Sequence, residues 1–385
     1  MGVRRVVHKS DQYTDRPLAA TLSAPARLGP RHPKRHPATV PGCRMSFRRT
    51  CAFLPRRSER EKSTDGRPFT VGGPASSTIP RMDRTFAATA DGLLLTARIT
   101  LAGGDVRSLQ REAERGTLHR LRRGAYVDAE AWRVADSRAR ALLHLRAYAA
   151  TARVPPIFTH ESAAVVHDLP LLSIQPALLH VAASSDSGGR PRDGVRRHRA
   201  NTIAWEEVDG LHITPVERTV IDLAELLPFR DAVVAADAAL RRGFTRRHLD
   251  DSAAESNPKG TRRVQRVIDF ASPLSESVGE SVSRVAIHEL GFPAPVLQHP
   301  FWDRSGPIGR VDFWWPERQL IGEFDGRIKY LGNLGGPPQE VVWHEKRRED
   351  RLRALGPGVA RWVWHDLEHP ESLAALLSSA GLPRR

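Results

Sequence analysis

Residues 309–330 read GRVDFWWPERQLIGEFDGRIKY and set Asp312, Glu323, Asp325 and Lys329 within one otherwise apolar hairpin. Successive side chains of a strand point to opposite faces. Asp312 and Trp314 therefore share one face of the first strand, and Ile321, Glu323 and Asp325 share one face of the second. The WPER turn brings Asp312 near the other two acids. Three carboxylates on one face repel each other, and burying them is costly without a cation. A divalent metal removes both costs, and an all-oxygen ligand set of Asp312, Glu323 and Asp325 favours Mg2+ or Mn2+ over Zn2+. Such an ion polarises a phosphodiester and lowers the pKa of an attacking water. Lys329 can stabilise the negative charge that develops. The competing reading is an edge hairpin whose acidic face meets solvent. The flanking VDFWW and LIGEF are too apolar for a plainly exposed edge.

The hairpin needs elements to hold it. Around it the sequence predicts a helix over about 276–290, a strand, the hairpin at 310–325, a helix over about 340–355, the strand VARWVW and a last helix. Six of the eight tryptophans fall in this stretch, 271–385, which marks it as a core of its own. Before it, residues 138–270 read as an α+β region. SRARALLHLRAYAATA is amphipathic, ALLHVAA and GLHITP read as strands, and Thr214, Pro215 and Glu217 form a capping box with a first-turn proline. SSDSGGRPRDGVRRHRAN reads as a polar loop whose Arg197, His198 and Arg199 could touch nucleic acid or simply meet solvent. His160, His167, His180 and His212 show no ligand spacing and read as structural.

Residues 82–137 open the ordered chain. Asp105 can cap a helix that Gly116 ends, and TLHRLRRGAYV alternates as two short strands about Arg122, Arg123 and Gly124. Helices followed by a basic hairpin are the order of a winged helix. Arg107, Arg111 and Arg115 recur every four residues on the second helix, a stripe that can contact phosphates or face solvent beside Glu112 and Glu114.

The net charge of +15 suggests a nucleic-acid partner, but its distribution matters. Residues 1–81 hold 17 Lys+Arg and 5 Asp+Glu, which leaves 42 basic and 39 acidic groups for the rest. This tail is rich in Arg, Pro, Ser and Thr without apolar periodicity, and is expected to be disordered. Met82 opens the patterned sequence and is expected to be the true start. Both cysteines, Cys43 and Cys51, lie in the tail, so no disulfide framework is expected and a cytoplasmic setting is. No apolar run is long enough to span a membrane.

Taken with HEKRREDRLRALG and VARWVW, the hairpin resembles the endonuclease-like family related to very-short-patch mismatch-repair enzymes, within the PD-(D/E)XK nuclease superfamily. From Met82 onward, the chain resembles the winged helix of AbiEi-type antitoxins, and TPVERTVIDLA and FRDAVVAADAALRRG recur in proteins that join the two parts. The resemblance implies a catalytic Asp312 and Glu323, with Lys329 in place of the usual lysine, whose position Asp325 occupies. It also implies a metal-ligating glutamate on the preceding helix, where Glu280 fits, although Ser277 and Glu280 equally form a capping box. Lys346, Arg347, Arg348 and Arg351 make a basic helix face that can bind phosphates or lie solvated beside Glu345 and Asp350. The expected protein is a multidomain α/β chain: winged helix over 82–137, α+β middle region over 138–270, and restriction-endonuclease-like α/β/α domain over 271–385. The expected activity is Mg2+- or Mn2+-dependent DNA hydrolysis. The alternative is an AbiEi-like transcriptional regulator or antitoxin with a degenerate nuclease fold and a toxin or other regulatory protein as partner.

Overall fold

The computed structural model describes residues 88–183, 190–199, 203–326 and 338–384. Residues 1–81, Met82 and Lys329 lie outside this set. Among the described residues the chain is a mixed α/β protein with three sheets, and no helix is long and apolar enough to cross a membrane.

The helix signal at Asp105 is realised. Its carboxylate accepts a hydrogen bond from Arg107 N, the helix Val106–Glu114 follows, and Gly116 turns the chain at φ +79°. That value suits glycine alone among common residues. The strands Leu118–Arg122 and Ala125–Asp128 pair antiparallel, and Leu94–Leu95 adds a third strand. Leu94, Ile99, Leu109, Leu118 and Tyr126 form the core of this unit.

The middle sheet has five strands in the order Val195–Arg199, Leu179–Ala183, Ile157–Phe158, Leu211–Ile213, Glu206–Val208. The first two pair parallel, as do the third and fourth. Arg197, His198 and Arg199 thus sit in a strand rather than in a loop. Alternation explains why: Val195 is buried against Leu179 and Val181, so the basic residues ride on a pleated frame. The expected capping box at Thr214 is also not formed. The helix Val216–Leu226 starts one residue after Pro215, and the Thr214 hydroxyl instead pairs with that of Thr219 at 2.8 Å. Three further helices, Phe229–Arg241, Arg246–Ser256 and Thr261–Phe270, pack with it around a core rich in alanine and valine.

The third sheet runs Val296–Asp303, Gly306–Trp315, Leu320–Phe324, Gly358–Trp362. The first three strands are antiparallel neighbours and the last pairs parallel to the third. One face, with Phe313, Trp315, Leu320 and Trp362, packs on Val282 and Ile287 of the helix Val278–Glu289 and on Leu373 and Leu377 of the helix Pro370–Ser379. On the other face Trp314 and Ile321 meet Leu352 of the helix Pro338–Ala354. Each such large apolar side chain contributes about 1.5–3 kcal/mol on burial. The indole N–H groups of Trp315 and Trp362 donate to Pro293 O and Ser283 Oγ, so neither burial strands a donor.

Packing runs across residue 270. Val285 belongs to the core of the middle helices, and Val234 to the core under the third sheet. Between them Arg284 grips Asp237 with two hydrogen bonds of 2.8 and 2.7 Å.

Candidate metal centre

Register places the acids. Phe313 pairs with Gly322, so Asp312 and Glu323 are the next residues out on adjoining strands. Two glycines allow the close packing. A Cβ at Gly322 would lie 2.7 Å from Trp362 and 2.9 Å from Trp315, and one at Gly279 would lie 1.9 Å from Phe324. The helix Val278–Glu289 can thus press its first turn onto the strand end and deliver Glu280 to the sheet.

Ser277 caps that helix by accepting from Glu280 N at 3.2 Å. The return bond of a capping box is absent. The Glu280 carboxylate accepts from Glu276 N at 2.8 Å and from Gln298 Nε2 at 2.9 Å. The same Gln298 nitrogen donates to Asp312 Oδ1 at 3.3 Å, while Phe324 N donates to Asp312 Oδ2 at 2.9 Å. Two carboxylates therefore converge on one donor. Gln298 holds this position with a left-handed backbone, φ +51°, in the middle of a strand. Such backbone strain concentrates at functional sites. Glu280 is 7% exposed and Glu323 9%. Burial and the Glu280 charge push the Asp312 carboxyl up to about 6, and Glu323 adds to the rise.

Glu323 has a different environment. Arg348 donates to one of its oxygens at 2.8 Å, and Arg361 donates to the other at 3.0 and 2.8 Å. Arg361 also reaches Glu349 at 2.9 Å. The guanidiniums supply the positive charge that a cation would bring. The donor set can still hold a hard divalent ion, because Glu280 and Asp312 offer converging oxygens. Glu323 would join them only on releasing a guanidinium. Among the described residues, no three carboxylates bring one oxygen each within 4.8 Å of one another. Asp325 is half-buried, and its backbone N–H bonds Trp362 O at 2.8 Å.

The basic residues divide by surroundings. Arg107 and Arg123 are exposed, and Arg111 is exposed but paired with Asp105 at 2.8 Å. Arg122 is half-buried with its guanidinium 4.4 Å above the Tyr148 ring. On the helix Pro338–Ala354, Lys346 and Arg347 are exposed, and Arg347 lies over Trp343. Arg351 turns inward, clamps Asp303 through two bonds of 2.7 Å and also reaches Pro307 and Gly306 carbonyls. That clamp holds the Asp303 carboxyl down at about 2.

Sequence reasoning missed a second cluster. His160, His180 and His198 come together in the middle region although each looked isolated. Burial lowers His180 to about 3 and His198 to about 4, and keeps His160 well below the usual imidazole range. Asp222 beside them is pushed up to about 6, mainly by burial.

No family model matches the chain. The chain is 29% identical over 192 residues to two uncharacterized proteins of Mycobacterium tuberculosis, from strains CDC 1551 and H37Rv, a match covering 49% of this chain and 69% of each relative. Among solved structures it is similar to the RV2827C protein of Mycobacterium tuberculosis, with a TM-score of 0.31, 17% identity and coverage of 55% of this chain and 83% of that one.

Proposed function

We propose that this protein binds DNA and hydrolyses its phosphodiester bonds at a divalent-metal centre formed by Glu280, Asp312 and Glu323. The observation that carries the reading is the convergence of Glu280 and Asp312 on Gln298, with Asp312 pushed up to about 6. Buried like charges held this close favour a cation. Mg2+ or Mn2+ there would polarise a phosphoryl oxygen and acidify a bound water. Glu280 and Asp312 would fix the ion, Gln298 would orient both carboxylates, and Glu323 would complete the set on leaving Arg348 or Arg361. The succession of helix, three antiparallel strands, helix and parallel strand supports a restriction-endonuclease-like domain. Two helices followed by a hairpin tipped by Arg123 support a winged helix that guides DNA, with Arg107 and Arg111 toward phosphates.

A regulator reading is favoured by one specific observation, the engagement of Glu323 by two guanidiniums. In that case the protein binds operator DNA, and its nuclease-like domain serves a toxin or another regulatory partner. Titration of Mn2+ into the full chain by calorimetry, beside cleavage of varied DNA substrates, separates the readings. The nuclease reading expects Mn2+ binding and cleavage in the wild type, both lost in Asp312→Asn and Glu323→Gln. Undiminished binding in both variants refutes the site. DNA binding without cleavage under either metal gives the lead to the regulator.

A further inference from the structure

The middle sheet gathers three imidazoles from three separate elements. His180 pairs in register with Arg196, so His198, two residues on, is its diagonal neighbour across the parallel strands. His180 Nδ1 lies 2.9 Å from His198 Nε2. His160 opens the helix His160–Val166 in a left-handed conformation, φ +50°, and its ring stacks on that of His198 at 3.6 Å. One nitrogen from each ring lies within 4.8 Å of the other two.

Two carboxylates flank the rings. Glu161 Oε2 is 3.1 Å from His180 Nδ1, and Asp222 Oδ2 is 3.8 Å from His160 Nδ1. Both oxygens are buried, and neither accepts a hydrogen bond of good geometry. Asp222 is only 3% exposed, so water does not compensate it fully. Arg218 donates to the other Asp222 oxygen at 2.7 Å. A buried acceptor left unsatisfied costs about 1–3 kcal/mol or more for a charged group, so the two remaining oxygens, Glu161 Oε2 and Asp222 Oδ2, point to a further positive partner.

We propose that His160, His180 and His198 bind one first-row transition-metal dication of the zinc class, with Glu161 and Asp222 balancing its charge. Neutral imidazoles select zinc-like metals and are poor ligands for Mg2+, so this site is chemically distinct from the carboxylate centre. Tetrahedral zinc with bonds of about 2.0–2.1 Å holds its nitrogens roughly 3.3 Å apart. The His180–His198 pair is already close to that spacing, and one His160 nitrogen lies within 4.8 Å of both. Arg196 and Arg218 stand nearby, and Arg197, Arg199 and Lys259 also line the adjoining cavity; these cations oppose a metal, and Glu161, Asp222 and Glu225 offset them in part. A cavity of about 490 Å³ lined by His160, His198 and Asp222 gives the metal access and leaves a fourth position open.

The test is a calorimetric titration of Zn2+ into chelator-treated full chain, with His198→Gln, Asp222→Asn and Asp312→Asn alongside and thermal melts to check folding. The wild type is expected to bind one equivalent that depends on the histidines, His198→Gln to bind it at least about 100-fold more weakly, and Asp222→Asn about 10–100-fold more weakly, as for a supporting carboxylate. Asp312→Asn, which disables the carboxylate centre, should keep the histidine-dependent equivalent. Should His198→Gln fail to fold, His160→Gln replaces it in the same comparison. Co2+ should give the visible absorption of a nitrogen-ligated tetrahedral ion in the wild type. Absence of Zn2+ binding, equal binding by the folded histidine variant, or loss of binding in Asp312→Asn would overturn the proposal.

Discussion

Two buried aspartates of this chain face opposite circumstances. Asp237, in the helical junction, is fully buried and saturated: Arg284 holds both oxygens, and Ser272 N donates to one of them at 2.7 Å. Arg284 is itself completed by Ser275 Oγ and Phe270 O. Asp312, at the sheet, has a weak amide partner, one backbone donor and two acidic neighbours. The first arrangement fixes two helices. The second sets the like charges of Glu280 and Asp312 on one shared amide while the arginines engage only Glu323, the condition under which a protein gains by taking up a cation.

The contrast can be broken at its stronger end. Asp237→Ala leaves a buried guanidinium unpaired, and should cost about 3–5 kcal/mol in denaturant unfolding. A loss under about 1 kcal/mol would mean that water or relaxation rescues Arg284.

At the other end the sign reverses. Asp312 titrates near 6 in the fold and near 3.8 unfolded, so the folded state holds more protons between those values. Stability contributed by the protonated form is present below pH 4 and is lost as pH rises through 6. Without metal, Asp312→Asn should therefore stabilise the fold at pH 7.5 by about 1–2 kcal/mol, after discounting partial solvation. The gain should vanish below pH 4. Thermal melts at both pH values check this, and destabilisation at pH 7.5 would make Asp312 a structural residue like Asp237.

The smallest effect applies the same distinction to arginines. Arg122 is occupied by the Tyr148 ring, and Arg123 is open. Arg123→Ala should flatten the slope of log K against log salt for DNA binding by about one unit, and Arg122→Ala should leave it unchanged. Equal changes would show that both guanidiniums reach phosphates.

What the sequence disclosed was set by local rules. Period-2 alternation put Asp312 and Glu323 side by side, and Asp105 and Gly116 bounded a helix, because strand pleat and caps are written within a few residues. The helix expected over about 276–290 runs Val278–Glu289, and that over about 340–355 runs Pro338–Ala354. The partners of those acids were not legible. Gln298 enters through a left-handed residue in a strand, and Arg361 comes from a parallel neighbour 38 residues beyond Glu323. Arg351 looked like an exposed phosphate ligand because spacing does not distinguish an outward arginine from one that clamps Asp303. The histidines failed for the same reason. His160, His180 and His198 are separated by 20 and 18 positions and meet through the pairing of two strands and the start of a helix, so no spacing rule links them.

The exchange of Val285 and Val234 across residue 270 bears on how this chain could arise and be divided. Recombination shuffles modules that part cleanly at an exposed linker, with few contacts crossing it. A fragment beginning at residue 271 would carry the Arg284 guanidinium without its counterion and Val285 without its core. A fragment ending there would expose Val234 and strand Asp237. Whatever chemistry the third sheet performs, a change that loosens the helices before it reaches that sheet through Val234 and the Arg284–Asp237 pair.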